Sequence, residues 1–409
     1  MSNKKNSSIQ EGSYDSVIET VQEILQKGID NGASDIHLEP TRDGLTFRFR
    51  IDGLLYLQQK FPKELMPMII SRLKVMAELD IAERRLPQDG NISFYDNHRN
   101  QEINIRVSTI PVIYGEKIVL RILNPGGLLK TLPEIGFNAE NLLRYAAMLK
   151  HTWGMILVTG PAGSGKSTTI YSTIHHINSP EKNIITVEDP IECRLDNVNQ
   201  IQVNLKAGLT FATALRAVLR QDPNIIMVGE IRDAETAEIA VRAALTGHLV
   251  FTTLHTGDAP RAVSRLLDMG IPPYLVNSSL VGVLSQRLLR LNCPHCREAY
   301  TPQPAEISLY HEVCGDGETP VFYRGAGCQF CSGRGYLKRT AIHELMSFDE
   351  SMQELIQKTH SSQLIRKHAL SQGMKPLIQD GMERAAKGDS TLTDVIKETY
   401  NSNYQDRRS

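Results

Sequence analysis

The 409-residue chain predicts an α/β protein, in which a domain built around a phosphate-binding loop follows a smaller α+β domain. Three observations carry this. After a first helical stretch, apolar residues alternate with a period of two in several segments between residues 45 and 123, as in half-buried strands. Beyond residue 130, short all-apolar runs alternate with helical stretches, the pattern of buried parallel strands with crossover helices. Near the C-terminal third, two C-x-x-C pairs mark a separate inserted module. The division this predicts is a disordered lead at 1–13, an α+β domain at 14–124, a linker at 125–130 and the α/β domain at 131–291. A zinc-binding module at 292–337 and a helical C-terminal region at 338–409 complete the chain.

Taken in order, Val17, Ile18, Val21, Ile24, Leu25 and Ile29 recur at helical spacing and stop near Gly32. Leu45, Phe47, Phe49 and Ile51 then alternate with Thr46, Arg48 and Arg50. An Asp52-Gly53 turn leads into the apolar run Leu54 to Leu57, so this is a hairpin with one buried and one basic face. A helix follows over about 64–79, with further strands around Ile103–Val107 and Lys117–Leu123. Asn124 to Gly127, an N-P-G-G tetrad, is the linker signal. Met155–Thr159, Ile184–Val187, Ile225–Val228 and Leu249–Leu254 are the apolar runs that read as buried parallel strands of the second domain.

Composition narrows the function. Charged residues are 22% and hydrophobic residues 41%, enough for packed cores, and the net charge of −1 provides no global basic field for nucleic acid or anionic lipid. No run reaches the 18 apolar residues of a membrane span. The polar start MSNKKNSSIQEGSYDS is not a secretory signal, so the expected setting is the reducing cytosol and six cysteines do not form a disulfide framework.

Gly160, Pro161, Ala162, Gly163, Ser164, Gly165, Lys166 and Ser167 match G-x-x-x-x-G-K-[ST], with Thr168 following. The loop lies between an apolar strand and a helical run, Lys166–Ile177. There its backbone N–H groups and the helix N-terminus can cradle phosphates. Lys166 would meet the β- and γ-phosphates and the Ser167 hydroxyl would ligate Mg²⁺, so the chain is expected to bind a nucleoside triphosphate. Two later strands end in acids, Glu188-Asp189 and Glu230, where such sheets place ligands. One carboxylate can activate water while another holds the metal's water shell. His248 and His255 bracket the strand Leu249–Leu254, a poor metal spacing. They are assigned polar contacts near the nucleotide or at a subunit boundary, with a purely structural role as the alternative. Arg106 and Arg121 lie on strands of the first domain, and Arg216 and Arg220 sit four apart on one helix face.

Cys293-Pro-His-Cys296 and Cys328-Gln-Phe-Cys331 stand 31 residues apart. Each pair offers two thiolates from one tight turn, and the two together close a tetrahedral structural Zn²⁺ site with no open position for chemistry. Cys193 and Cys314 have no such spacing and are ordinary residues.

In order along the chain stand ASDIHLEP (33–40), RFRIDG (48–53), RLPQDG (85–90), IRVSTIP (105–111) and GEKIVLRIL (115–123). GPAGSGKSTTIY (160–171), TVEDPIE (186–192), LRQDPNIIMVGEIRD (219–233), TGHLVFTTLHT (246–256) and the cysteine pairs follow. Together they resemble the ATPases of bacterial type II secretion and type IV pilus assembly, the GspE/PilB type. That resemblance implies a RecA-like motor preceded by a PAS-like domain. It makes Glu188 of the aspartate box the water-activating carboxylate, Glu230 of the Walker B segment the organiser of Mg²⁺, and His248 and His255 the histidine box. It places Arg106 and Arg121 near the γ-phosphate and offers Arg216 and Arg220 to a neighbouring subunit. It further implies a homohexamer that hydrolyses ATP at the inner face of the cytoplasmic membrane, driving a platform protein that adds pilin-like subunits. The chain begins almost directly at this domain pair, without the N-terminal docking domain of longer relatives. Its tetracysteine module resembles assembly ATPases more than retraction ATPases.

Two other classes compete. A DNA-translocating ring is disfavoured by the near-zero net charge and by the lack of aromatic–basic interleaving around the zinc module. A nucleotide sensor without turnover is disfavoured by the presence of Lys166, Glu188 and Glu230 together.

Overall fold

A computed structural model of the chain describes residues 14–123 and 129–403. The lead at 1–13, most of the linker at 125–130 and the last six residues lie outside the described residues. The chain divides into two units, Met1–Pro125 and Gly126–Ser409.

In the first unit, six described strands form one antiparallel sheet. They are β1 (Asp35–Thr41), β2 (Gly44–Ile51), β3 (Leu54–Pro62), β4 (Gln88–Asp96), β5 (Gln101–Val112) and β6 (Gly115–Leu123), in the order β3-β2-β1-β6-β5-β4. Alternation decides which face is covered. Ile36, Leu38, Leu45, Phe47, Phe49, Ile103, Ile105, Ile118 and Leu120 bury against the helices Tyr14–Asp30 and Met66–Met76. A buried ion pair fastens the second helix to β6, Lys74 Nζ lying 2.8 Å from Glu116 Oε1. The hairpin at Asp52-Gly53 forms with both residues at positive φ, the geometry a two-residue turn of matching twist needs.

The second unit is a three-layer α/β sandwich around a sheet ordered β15-β12-β7-β11-β10-β8-β9. β7 (Gly154–Thr159), β8 (Ile184–Glu188), β10 (Ile225–Val228) and β11 (Leu249–Leu254) are parallel, and every residue in them is buried. β9 (Asn199–Gln202) extends the sheet beside β8. One face packs against Phe211–Val218, Ala234–Leu245, Ala259–Asp268, Glu350–Lys358 and Ser362–Ser371, the other against Ala139–Met148 and Lys166–Ile177. β12 (Leu280–Asn292) runs parallel to β7 and antiparallel to β15 (Tyr336–Ser347). Between them lie β13 (Arg297–Tyr300), the helix Pro304–Cys314 and β14 (Phe322–Gly325), with β13 and β14 paired antiparallel.

Two of the departures from the sequence reading concern the C-terminal part of the chain. The stretch from 338 does not open as helix, because β15 completes the sheet edge before the helices from Glu350 begin. Aromatic–cation contacts also occur around the cysteines, with Arg290 4.1 Å over Tyr336 and Arg297 4.9 Å over Tyr323. These arginines stack on rings of their own chain, pairings that a linear search for interleaved residues does not find.

Candidate functional site

The phosphate loop connects β7 to the helix Lys166–Ile177 at the C-terminal edge of the parallel strands. Gly163 and Gly165 take φ of 76° and 89°, and a Cβ on Gly160 would stand 2.6 Å from the Gln286 carbonyl oxygen, so the turn closes only with glycine there. Pro161, Ala162 and Gly163 form the exposed rim, and Thr168 is half-buried on the first helical turn. Gln286 of β12 holds the loop from beneath. Its Nε2 donates to Ser164 O at 2.7 Å, and its Oε1 accepts from Thr169 Oγ1 at 2.8 Å.

Lys166 Nζ donates to the carbonyls of Gly160 (2.8 Å) and Pro161 (3.0 Å). Burial pushes its pKa down to about 8. The Ser164 hydroxyl is buried with no hydrogen-bond partner. A desolvated ammonium and an orphaned donor in one turn of backbone fit a polyphosphate, which supplies acceptors to both.

The acids divide into three environments. Glu188, 3% exposed, accepts from Thr186 Oγ1 at 2.5 Å, from Gln200 Nε2 at 3.0 Å and from the Tyr171 hydroxyl. Both oxygens are therefore engaged, and the carboxylate is closed to an attacking water. The structure thus places Glu188, expected from the resemblance to activate water, as the last residue of a strand covered on both faces. Glu192, four residues on and beyond the strand, meets the phosphate loop instead, its Oε1 accepting from Ser167 Oγ at 3.1 Å. Glu230, past the end of β10, is paired with Arg232 NH2 at 2.6 Å and His255 Nε2 at 3.3 Å. Partial burial works to raise its pKa, but the hydrogen bond and charge of Arg232, with a smaller contribution from His255, hold it below the usual carboxylate value. Asp189 accepts from the same Arg232 guanidinium at 3.4 Å.

His255 thus joins the acids, whereas His248 does not. It lies at the opposite end of β11, about 20 Å away along a six-residue strand. There its Nδ1 is 2.9 Å from Ala243 O, the structural alternative for this residue. Arg216 and Arg220 are exposed, the first paired with Glu235 and the second donating to Arg216 O at 2.8 Å. Arg106 and Arg121 are exposed cross-strand partners on β5 and β6 of the first unit, and Arg121 Nε donates to Asp35 Oδ1 at 3.0 Å.

The four cysteine sulfurs come together. Sγ–Sγ distances are 3.8 Å for Cys293–Cys328, 3.9 Å for Cys296–Cys331 and 3.8 Å for Cys328–Cys331. Tetrahedral Zn²⁺ with bonds of about 2.3 Å requires about 3.8 Å between ligands. Backbone N–H groups of Gly327, Cys328 and Gly335 donate to Cys296 or Cys331 sulfur at 3.2–3.3 Å, which favours thiolates. The donor set fits a structural zinc ion.

The family described as Type II/IV secretion system protein matches residues 10–397. The chain belongs to this family. It is 46% identical to the Type II secretion system ATPase E of Vibrio cholerae serotype O1 over 94% of this chain and 76% of that protein. It is 43% identical to the Type IV pilus assembly ATPase PilB of Thermus thermophilus over 93% of this chain and 42% of that one. Among solved structures it is similar to the pilus retraction motor PilT with bound ADP. The TM-score there is 0.61 at 28% identity, covering 92% of this chain and 96% of that one. The Legionella pneumophila ATPase DotB shares the fold at a TM-score of 0.70 and 20% identity, over 96% and 97% of the two chains.

In this Type II/IV secretion system protein, three residues of the site escaped the sequence reading. Glu192 stood inside the quoted TVEDPIE segment, and its position beyond the strand end was the available signal. Tyr171 likewise closed the quoted GPAGSGKSTTIY segment, whereas Gln286 carries no motif and only packing reveals it.

Proposed function

We propose that the chain is an ATPase that converts ATP and water to ADP and phosphate and couples turnover to assembly of a type IV pilus or secretion pseudopilus. The observation that carries this reading is the meeting of the phosphate loop, the Ser167–Glu192 contact and Glu230 at one sheet edge, in a chain whose relatives are named as secretion and pilus-assembly ATPases. Lys166 and the loop N–H groups bind the phosphates. Glu192 takes the proton of the attacking water as its oxygen bonds to the γ-phosphorus and ADP departs. Ser167, with Glu230 acting through water, would hold Mg²⁺, which supplies charge neutralisation at the phosphate oxygens when bound. Arg216 and Arg220 face a neighbouring subunit of a homohexamer. Zn²⁺ on Cys293, Cys296, Cys328 and Cys331 holds the tetracysteine module, an assembly-type feature. The protein works at the inner face of the cytoplasmic membrane against a platform protein, without nucleic acid.

The test is ATP turnover across size-exclusion fractions of zinc-loaded protein, with and without DNA, beside Lys166→Ala and Glu192→Gln. Turnover in a ring-sized fraction, indifferent to DNA, lost in Lys166→Ala and strongly reduced in Glu192→Gln, supports the assembly motor. DNA-stimulated turnover would make it a translocase. Tight nucleotide binding without hydrolysis in any oligomer, with the platform protein present, would make it a sensor.

A further inference from the structure

Ser167 and Tyr171 stand four residues apart on the helix Lys166–Ile177 and so share one face. Each holds a different part of Glu192. Ser167 Oγ meets the carboxylate at 3.1 Å, and the Tyr171 phenolic oxygen accepts the Glu192 N–H at 3.1 Å and the Cys193 N–H at 3.4 Å. We propose that Tyr171 is a positioning residue for hydrolysis, fixing Glu192 against the metal-binding serine through its hydroxyl oxygen. This rests on the reading of Glu192 as the group that activates water.

Glu188 decides how the hydroxyl is used. A carboxylate only accepts, so the phenolic hydrogen is committed to Glu188 Oε2 and the oxygen lone pairs are left for the two amides. Burial first, and then the Glu188 charge, raises the phenol above its ordinary pKa, so the hydrogen stays on the ring oxygen. Gln200 closes the circuit. Its Nε2 donates to Glu188 Oε1 at 3.0 Å and to Cys193 O at 2.9 Å, and its Oε1 accepts from Leu195 N at 2.8 Å. Two side chains thus fix four backbone atoms between Glu192 and Leu195. The segment carrying the acid is locked to the helix that carries Lys166 and Ser167. A misplacement of about 1 Å in such a group costs about a hundredfold in rate.

The experiment is a double-mutant cycle in single-turnover ATP hydrolysis by the full chain in its ring-sized fraction, with nucleotide affinity and thermal unfolding measured in parallel. Tyr171→Phe keeps the ring and removes the oxygen. Its hydrolysis rate is expected to fall about 10- to 100-fold while ATP affinity stays within about threefold, because the phosphate loop is untouched. In a Glu192→Gln background, Tyr171→Phe is expected to slow the residual reaction no further. Gln200→Leu, which releases the same segment from its other side, is expected to repeat the pattern and replaces Tyr171→Phe should that variant not fold. Full-rate hydrolysis by the soluble variants, an equal rate loss in both backgrounds, or a loss of affinity matching the loss of rate would overturn the proposal. Absence of hydrolysis in the wild type sinks the ATPase reading instead. A full rate in Glu192→Gln sinks the assignment of the acid, and the positioning role with it.

Discussion

Gln286→Met removes both polar contacts beneath the phosphate loop while nearly conserving side-chain volume. Gln286 and Thr169 are both essentially sealed from solvent, and the Ser164 carbonyl would lose the amide donor now 2.7 Å away. Each buried group left unpaired costs about 1–3 kcal/mol, so the pair together is worth about 3 kcal/mol. A loosened loop also presents its N–H groups less well, and ATP affinity should fall about tenfold, equivalent to about 1.4 kcal/mol. Trp153 is the only tryptophan in the chain and immediately precedes β7, so urea unfolding followed by its fluorescence reports on the second unit. Nucleotide affinity can be followed with a fluorescent ATP analogue. A stability loss below about 1 kcal/mol with unchanged affinity would refute the claim that β12 holds the loop in its binding geometry.

Cys328→Ser should release zinc and open 292–337 to limited proteolysis while leaving nucleotide binding in place, as metal analysis and a binding titration would read. Burial, then the Arg384 charge, pushes the His343 imidazole down to about 3. Its folded pKa lies below the unfolded value near 6.5, so protons favour the unfolded chain and stability falls as the pH drops from about 6.5 towards 3. At pH 5 this costs about 2 kcal/mol, which His343→Phe should remove. A wild-type-to-variant stability difference that is flat between pH 7.5 and pH 5 would contradict this. Asp394→Ala removes the carboxylate, 1% exposed, to which Arg290 donates from Nε at 2.9 Å, leaves the arginine its stacking on Tyr336, and should cost about 2–3 kcal/mol in the Trp153 unfolding curve. A loss near 1 kcal/mol would mean that water rescues the arginine.

What the sequence disclosed was the chemistry written in consecutive residues. The phosphate loop and the two C-x-x-C turns are local, so spacing alone places Lys166 and the four sulfurs. The TVEDPIE segment was located, but which of its acids meets the phosphate loop was not. Glu188 and Glu192 are equally acidic on paper, and they differ because one ends a strand packed on both faces while the other lies beyond it. β1 and β4 were missed because few of their residues are apolar. Asp35, His37 and Glu39 fill alternate positions of β1, and only Ile36 and Leu38 mark its buried face. Gln286 was illegible for a related reason, since its partners lie 117 and 122 residues away. β15 was hidden by separation from β12, because an antiparallel edge pairing leaves no trace in the run of either strand.

That edge pairing bears on how such a motor can change. Asn292 and Tyr336 face one another across the ladder, so the 43 residues between them are an excursion that leaves the sheet and returns to the same rung. A short turn could bridge the gap without rethreading a strand, and the tetracysteine module could come and go in evolution as a unit. The obstacle lies elsewhere. Phe322 packs with Leu377, Met382, Ala385, Leu392 and Val395. A lineage that discarded the module would have to repaint those two C-terminal helices in polar residues, and their composition would keep the record of the loss.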